Sequence, residues 1–271
     1  MTPDDFDRLQ ALMSSRAGFR LTRDRIKLAE HRLGPVARRE GFDTVDAMLA
    51  ALWAQPVASL GWSVIEALLN PETWFRRDRP AFEVFGRELL PALAKARPGG
   101  RVAVWSAGCS TGQEAWSLAM AGLDAGAAIE VTAVDLAHRA LEKARSGAYT
   151  GFEIQRGLKA ETMLRWFDQV DDNWVANSPL RSAVRFSRAN LLDPPADDVR
   201  YDVIFCRNVL TDMDPARRAL VLDNLERRLV DDGCLFLGAD ESPADHSVAF
   251  RPVVGRKGLF VKAPAAARRA A

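Results

Sequence analysis

At 271 residues the chain can bury one sizeable core or two of unequal size. Hydrophobic residues make up 48% and charged residues 27%, and no window approaches the ~18 uninterrupted apolar residues of a spanning helix, so neither disorder nor membrane insertion is expected. A net charge of +1 argues against wholesale polyanion binding, and no nucleic acid partner is expected; Cys109, Cys206 and Cys234 without CxxC spacing, with His31, His138 and His246 scattered, argue against a disulfide framework or a metal site.

The opening MTPDDFDRL carries acids and lacks a basic segment followed by an apolar one, so a cytoplasmic location is expected. From Asp4 to about Trp53 apolar residues recur mostly at three- and four-residue steps: Phe6, Leu9 and Met13, then Ile26, Leu28 and Leu33, then Val45, Met48, Leu49 and Leu52. Turns at Ala17-Gly18 and Glu40-Gly41 separate these helices, and Asp43 or Thr44 is placed to cap the third. Arg16, Arg20, Arg23, Arg25, Lys27, Arg32, Arg38 and Arg39 crowd this region, either as a solvated helix face or as a surface for acidic partner helices. Val57 to Pro80, interrupted by Pro71 and Pro80, reads as a passage between two domains, with the boundary set at 70/71.

Beyond Phe82, helices alternate with the strand candidates RVAVWSA, IEVTAVD, AVRFSRAN, YDVIFC and CLFLGA, which specifies a parallel sheet covered by helices. AFRPVVG and GLFVKA suit an antiparallel hairpin at the sheet edge, an ending more typical of methyltransferases than of dehydrogenases. Pro264–Ala271 reads as a frayed tail. The stretch from Arg101 to Met120 joins a buried strand to a helix through a turn punctuated by Gly108 and Gly112. Asp135 follows about 20 residues beyond that turn, at the end of the next strand, as expected of a carboxylate that accepts hydrogen bonds from ribose hydroxyls.

Six motifs in order, ETWFRRD, WSAGCSTGQEAWSLAM, AVDL, ANLLDP, FCRNVL and LFLGADES, resemble the CheR family of chemotaxis receptor methyltransferases over nearly the whole chain. The resemblance implies an α/β fold: a Rossmann-like, seven-stranded class I methyltransferase sheet over 71–271, a small N-terminal all-helical domain over 1–70 and a minimal β-subdomain at about 168–184. It implies S-adenosyl-L-methionine as cofactor, S-adenosyl-L-homocysteine as product, and glutamate side chains on chemoreceptor cytoplasmic methylation helices as substrate, with the protein a monomer. Carried over residue by residue, it places Thr73 and Arg77 at the methionine end of the cofactor, Ala107 and Glu114 beside it, Asp135 on the ribose, Asn190 and Leu191 about the adenine, and Arg207 and Asn208 near the sulfonium. Glutamate is ionised near neutral pH, so no general base is required. Arg77 is assigned the orientation of the substrate carboxylate, because a guanidinium matches two oxygens with its planar fork.

The chain departs from the family mildly after the glycine turn, where Gln113, Glu114, Ala115 and Trp116 replace Glu-Glu-Pro-Tyr, and more sharply at three other places. Pro71 stands where asparagine is usual, Arg76 replaces a phenylalanine, and Thr211, Asp212 and Met213 replace Ile-Tyr-Phe, so that Asp212 occupies the place of a tyrosine at the reacting methyl. Two other readings therefore stay open: a regulatory module that binds S-adenosylmethionine with weakened catalysis, and a methyltransferase with a non-receptor substrate.

Overall fold

A computed structural model describes residues 1–55, 57–195 and 197–264. Its contacts divide the chain into two compact units, Met1–Asn70 with Asp212–Arg218, and Pro71–Thr211 with Ala219–Ala271. Residues 265–271, where most of the expected frayed tail falls, lie outside the described residues.

The first unit is helical, with α1 (Pro3–Ala17), α2 (Ile26–Arg39), α3 (Val45–Ala54) and α4 (Ala58–Leu68). Thr2 caps α1 reciprocally with Asp5, satisfying two main-chain donors that the first turn would leave open. Thr44 caps α3 by accepting the Ala47 N–H at 3.1 Å, one of the two residues expected there. The face of α2 differs from the expected one: Ala29, Leu33, Val36 and Ala37 are buried at helical spacing, whereas Leu28 is exposed. A fourth helix occupies part of the segment read as a mixed passage, and Leu60, Val64, Ile65 and Leu68 bury one face of it. Arg32 of α2 donates to the terminal carbonyls of Leu68 and Leu69, both at 3.1 Å. Much of the basic run is spent inside the unit, since Arg23 pairs with Asp7, Arg25 with Asp212 and Arg39 with Glu40.

In the second unit α5 (Arg79–Val84) and α6 (Leu90–Ala96) lead into β1 (Arg101–Ala107), α7 (Gln113–Asp124), β2 (Ala128–Asp135) and α8 (His138–Ser146). There follow β3 (Ala148–Thr150), α9 (Gly151–Gln155), α10 (Ala160–Trp166), β4 (Phe167–Val170), β5 (Asn173–Ala176), α11 (Ser178–Ser182), β6 (Val184–Arg188) and β7 (Tyr201–Cys206). The chain then passes through α12 (Pro215–Arg228), β8 (Leu229–Leu237), β9 (Phe250–Pro252) and β10 (Leu259–Lys262). Seven strands form one sheet in the order β6-β2-β1-β7-β8-β10-β9. The first five run parallel, and β10 pairs antiparallel with both β8 and β9, which makes the expected edge hairpin. The parallel sheet expected from the alternating sequence is present, with the seven strands that the family resemblance implies.

Burial explains why these strands read as apolar runs: all six residues of β7 are buried, as are five of the seven in β1. Phe205 stacks on Phe236 of β8 at 4.3 Å between centroids, and Phe82 and Phe85 pack against it at 5.7 and 5.5 Å. A separate three-stranded sheet has the order β3-β5-β4. Its β4 and β5 flank the expected tight turn at Asp171, but the third strand comes from Ala148–Thr150, before the 168–184 segment, and 178–182 is helical. Among the described residues no helix is long and apolar enough to cross a membrane.

Candidate active site

Strand order reverses beside β1: the chain runs outward through β2 to β6 and then returns to β7 on the other flank of β1. In a sheet wound this way a crevice opens outside the carboxyl ends of the strands at the reversal. Ala107 closes β1 with no exposed surface, Asp135 closes β2, Asn190 and Leu191 follow β6, and Arg207 and Asn208 follow β7.

The turn after β1 is built from main-chain contacts. Gly108 and Cys109 both donate to the carbonyl of Val134 at 2.9 Å, and Ser110 donates its N–H to the Asp135 carboxylate at 2.7 Å. Gly108 has φ +88°, and a Cβ there would lie 2.6 Å from Val209 Cγ2, so glycine is required both for conformation and for the approach of the β7 loop. Asp135 takes the Ala137 N–H on its other oxygen at 2.9 Å. Its carboxylate plane is thereby fixed by two loops, and it is anchored as well as presented. Asn190 accepts the Leu192 N–H at 3.1 Å, while buried Asn224 of α12 donates to the carbonyls of Leu191 and Asp193 at 3.0 and 3.1 Å, holding the loop that carries Asn190 and Leu191.

On the other side of the crevice a charged network centres on buried Arg207 and Glu114 and reaches partly exposed Asp78. Glu114, in the first turn of α7, accepts from Ser106 Oγ at 2.8 Å and lies 3.3 Å from Arg207, whose side chain is 1% exposed. Arg207 also donates to Asp78 at 2.6 Å. Burial raises the Glu114 pKa above the usual carboxylate range, and the facing Arg207 guanidinium and the Ser106 hydroxyl offset only part of that shift. Glu241, in the loop after β8, is also buried and organises the loop after β7: its carboxylate accepts the N–H groups of Asn208 and Gly238, each at 2.7 Å, and both the N–H and the hydroxyl of Thr211 at 2.9 and 3.1 Å.

The ETWFRRD loop is fastened from beneath. Phe75 is buried edge-on to Tyr149 and Phe167, at 5.0 and 5.6 Å. Arg76 takes a left-handed conformation, with its N–H on Ser117 Oγ at 3.0 Å and its guanidinium directed to Asp124 at 3.9 Å. The cation at the usual phenylalanine position is thus matched by an acid of α7. Arg77 donates to the Glu72 carbonyl at 2.8 Å and lies over the Trp74 ring at 4.5 Å from its centroid; Thr73 is half-buried in the same loop.

Of the residues expected at the site, Thr73, Arg77, Ala107, Glu114, Asp135, Asn190, Leu191, Arg207 and Asn208 all belong to the second unit. Asp212 groups with the helical unit, where its carboxylate lies 3.6 Å from Arg25 and its carbonyl accepts the Arg20 N–H at 2.8 Å. Asp78, Asn224 and Glu241 were not singled out by sequence reading. Asp78 closes the quoted ETWFRRD motif and Glu241 is the second acid of LFLGADES, whereas Asn224 lies in none of the motifs.

The crevice suits an adenosyl amino acid. Among the described residues the Oδ1 of Asn208 and the Nε of Arg207 are buried and meet no hydrogen-bonding partner, which leaves an acceptor and a donor for a polar ligand. The Gly108 turn leaves backbone where a side chain cannot stand, and Asp135 presents an anion at the end of the neighbouring strand.

Comparison with known proteins agrees with this geometry. The CheR methyltransferase, SAM binding domain family matches residues 71–259. The chain is 32% identical over 249 residues to the chemotaxis protein methyltransferase Cher2 of Pseudomonas putida, covering 88% of this chain and 90% of that one. It is 30% identical over 267 residues to a chemotaxis protein methyltransferase of Vibrio parahaemolyticus, covering 95% of each. Over 199 residues it is 37% identical to the probable biofilm formation methyltransferase WspC of Pseudomonas aeruginosa, covering 70% of this chain and 46% of that one.

Proposed function

This chain belongs to the CheR methyltransferase family, and from that premise we propose that it methylates glutamate side chains on the cytoplasmic helices of chemoreceptors, acting as a monomer in the cytoplasm. S-adenosylmethionine is its cofactor, and when bound it supplies a methyl carbon on a sulfonium, leaving S-adenosylhomocysteine as product.

The observation that carries the reading is the buried Glu114–Arg207 pair beside the Gly108 turn, extended by partly exposed Asp78. Glu114 offers a carboxylate to the ammonium of an amino acid ligand, and Arg207 keeps that carboxylate in place while Asp78 holds Arg207 from the other side. Asn208 adds its unpartnered carbonyl oxygen, and Thr73 and Arg77 complete the methionine end. Asp135 takes the ribose hydroxyls, and Asn190 and Leu191 flank the base. A carboxylate nucleophile requires no proton transfer, so the protein's task is to place it and to shed water. Arg77, steadied by Trp74 and the Glu72 carbonyl, orients the two oxygens. Asp212 is the second residue the sequence assigns to the reacting end; in the structure it belongs to the helical unit, where it pairs with Arg25.

Labelled methyl transfer to chemoreceptor cytoplasmic fragments tests the function. Base-labile label on glutamate is expected, and label absent from the fragments despite measurable cofactor binding overturns the reading. Because WspC is named for biofilm formation, receptor fragments from both kinds of system belong in the panel.

Glu114 makes cofactor binding dependent on pH. Its carboxyl holds a proton at a higher pH than an ordinary glutamate, and an ammonium ligand selects the ionised form. Below the folded-state pKa, binding therefore releases a proton and affinity rises with pH; well above it the dependence vanishes. Calorimetry in buffers of different ionisation enthalpy is expected to show this release in the wild type. Glu114→Gln is expected to bind more weakly and without that proton.

A further inference from the structure

Arg156 lies outside every motif considered so far. It is the residue that follows α9, its side chain is 44% exposed, and its guanidinium lies 4.1 Å from the centroid of the Trp74 ring. Arg77 lies 4.5 Å from the same centroid, so two guanidiniums share one indole and are no farther apart than those two distances laid end to end. Glu72 ties the pair together, with its carbonyl on Arg77 at 2.8 Å and its carboxylate on Arg156 at 3.0 Å.

This arrangement is held in register from below. Gly157 has φ +110°, and a Cβ there would lie 1.8 Å from the carbonyl oxygen of Phe75, so the end of α9 is pressed against the loop that carries Arg77. Arg156 is therefore a fixed neighbour of the residue assigned to the substrate carboxylate. Its present partner is easily exchanged, because an ion pair exposed on both sides contributes little and a substrate carboxylate offers the same two oxygens.

We propose that Arg156 is a second carboxylate subsite: while Arg77 places the glutamate to be methylated, Arg156 holds another acidic side chain of the same helix one turn away. The assignment rests on the glutamate-methylating function above. Side chains three or four positions apart on a helix stand about 5–6 Å from each other at Cβ and face the same way, which suits two guanidiniums on one indole, whereas adjacent positions diverge. The substrate class is thus a helix with two carboxylates on one face.

The test uses the full-length protein and a chemoreceptor cytoplasmic fragment, with versions in which acids three or four positions from each labelled glutamate are changed to glutamine. Arg156→Gln is expected to raise KM for the fragment about tenfold, the scale of one lost charge-assisted hydrogen bond, with kcat and the S-adenosylmethionine dissociation constant unchanged. Arg156→Lys should recover part of the loss. Removing the second acid from the fragment should raise KM for the wild type similarly and add nothing to Arg156→Gln. Additive losses, or an unchanged KM in Arg156→Gln, overturn the subsite while leaving glutamate methylation standing. A wild type that binds the cofactor and labels no fragment overturns both.

Discussion

Replacing Glu241 by glutamine is expected to destabilise the protein by about 3–5 kcal/mol, although the residue carries no reacting atom. Its two oxygens accept from Asn208, Gly238 and twice from Thr211, all in the loops after β7 and β8. An amide keeps one oxygen and turns the other into a donor, which then faces either the Asn208 and Gly238 N–H groups or the two Thr211 donors. Buried donors left facing a donor lose their hydrogen bonds and gain nothing in return. Thermal melting should fall by on the order of 10 °C. Because Asn208 sits on the released loop, cofactor affinity should weaken at least about tenfold, the scale of one charge-assisted hydrogen bond. Asp240→Asn next to it, exposed and paired with Lys257, should leave both quantities unchanged. Equal behaviour of the two variants would remove Glu241 from its organising role.

The second large effect is expected at Gly157. An alanine Cβ would sit 1.8 Å from the Phe75 oxygen and 2.8 Å from its carbonyl carbon, and neither belongs to a side chain that can swing aside. The backbone must part, and the loop from Glu72 to Asp78 moves with it. A displacement of about an ångström at a positioning element can cost about a hundredfold in rate, so kcat/KM for receptor fragments should fall by at least that factor. Stability should fall by about 3 kcal/mol from the strained φ and the lost packing. Gly151→Ala, at the start of the helix that precedes Gly157 and with nothing within 4 Å of its Cβ position, is the control and should behave as wild type. Activity in Gly157→Ala close to that of Gly151→Ala would show that the loop does not depend on this contact.

Much of the second unit was legible because its strands are buried on both faces and so appear as unbroken apolar runs between helical stretches. The glycine turn and Asp135 were legible for a related reason: a close backbone approach and a carboxylate at a strand end leave a local pattern. β3 was missed because three residues show no period, and its existence depends on pairing with β5, more than twenty residues later. The fourth helix was missed because Pro56 and Pro71 bracket it, although its own apolar residues recur at helical spacing. On α2, the face through Ala29, Leu33, Val36 and Ala37 was available in the sequence, but small alanines were passed over for the larger Leu28.

In the site, the positions carried over from the family concern the ligand, whereas Asp78, Asn224 and Glu241 act on the loops that carry those positions. Each reaches its partner only once the sheet is assembled: Asp78 meets Arg207 across 129 residues of sequence, and Asn224 meets Leu191 across 33. Asp78 and Glu241 lie within quoted motifs, but nothing local marks the partners they reach, and Asn224 lies in no motif. Asp135 shows a related limit, because its spacing pointed to ribose while the fold also uses it to pin Ser110 and Ala137.

The three cysteines report on how the crevice opens. Cys109 follows β1, Cys206 ends β7 and Cys234 lies within β8; all are buried, and burial holds the first two thiols well above their usual pKa and pushes the third up to about 11. A thiol that cannot ionise does not react with alkylating or disulfide reagents until the chain around it opens. The rate at which each thiol is trapped therefore measures breathing of its own surroundings, and comparing rates with and without S-adenosylhomocysteine distinguishes a local loosening beneath the ligand, at Cys109 and Cys206, from melting of the whole sheet, which also frees Cys234 within β8.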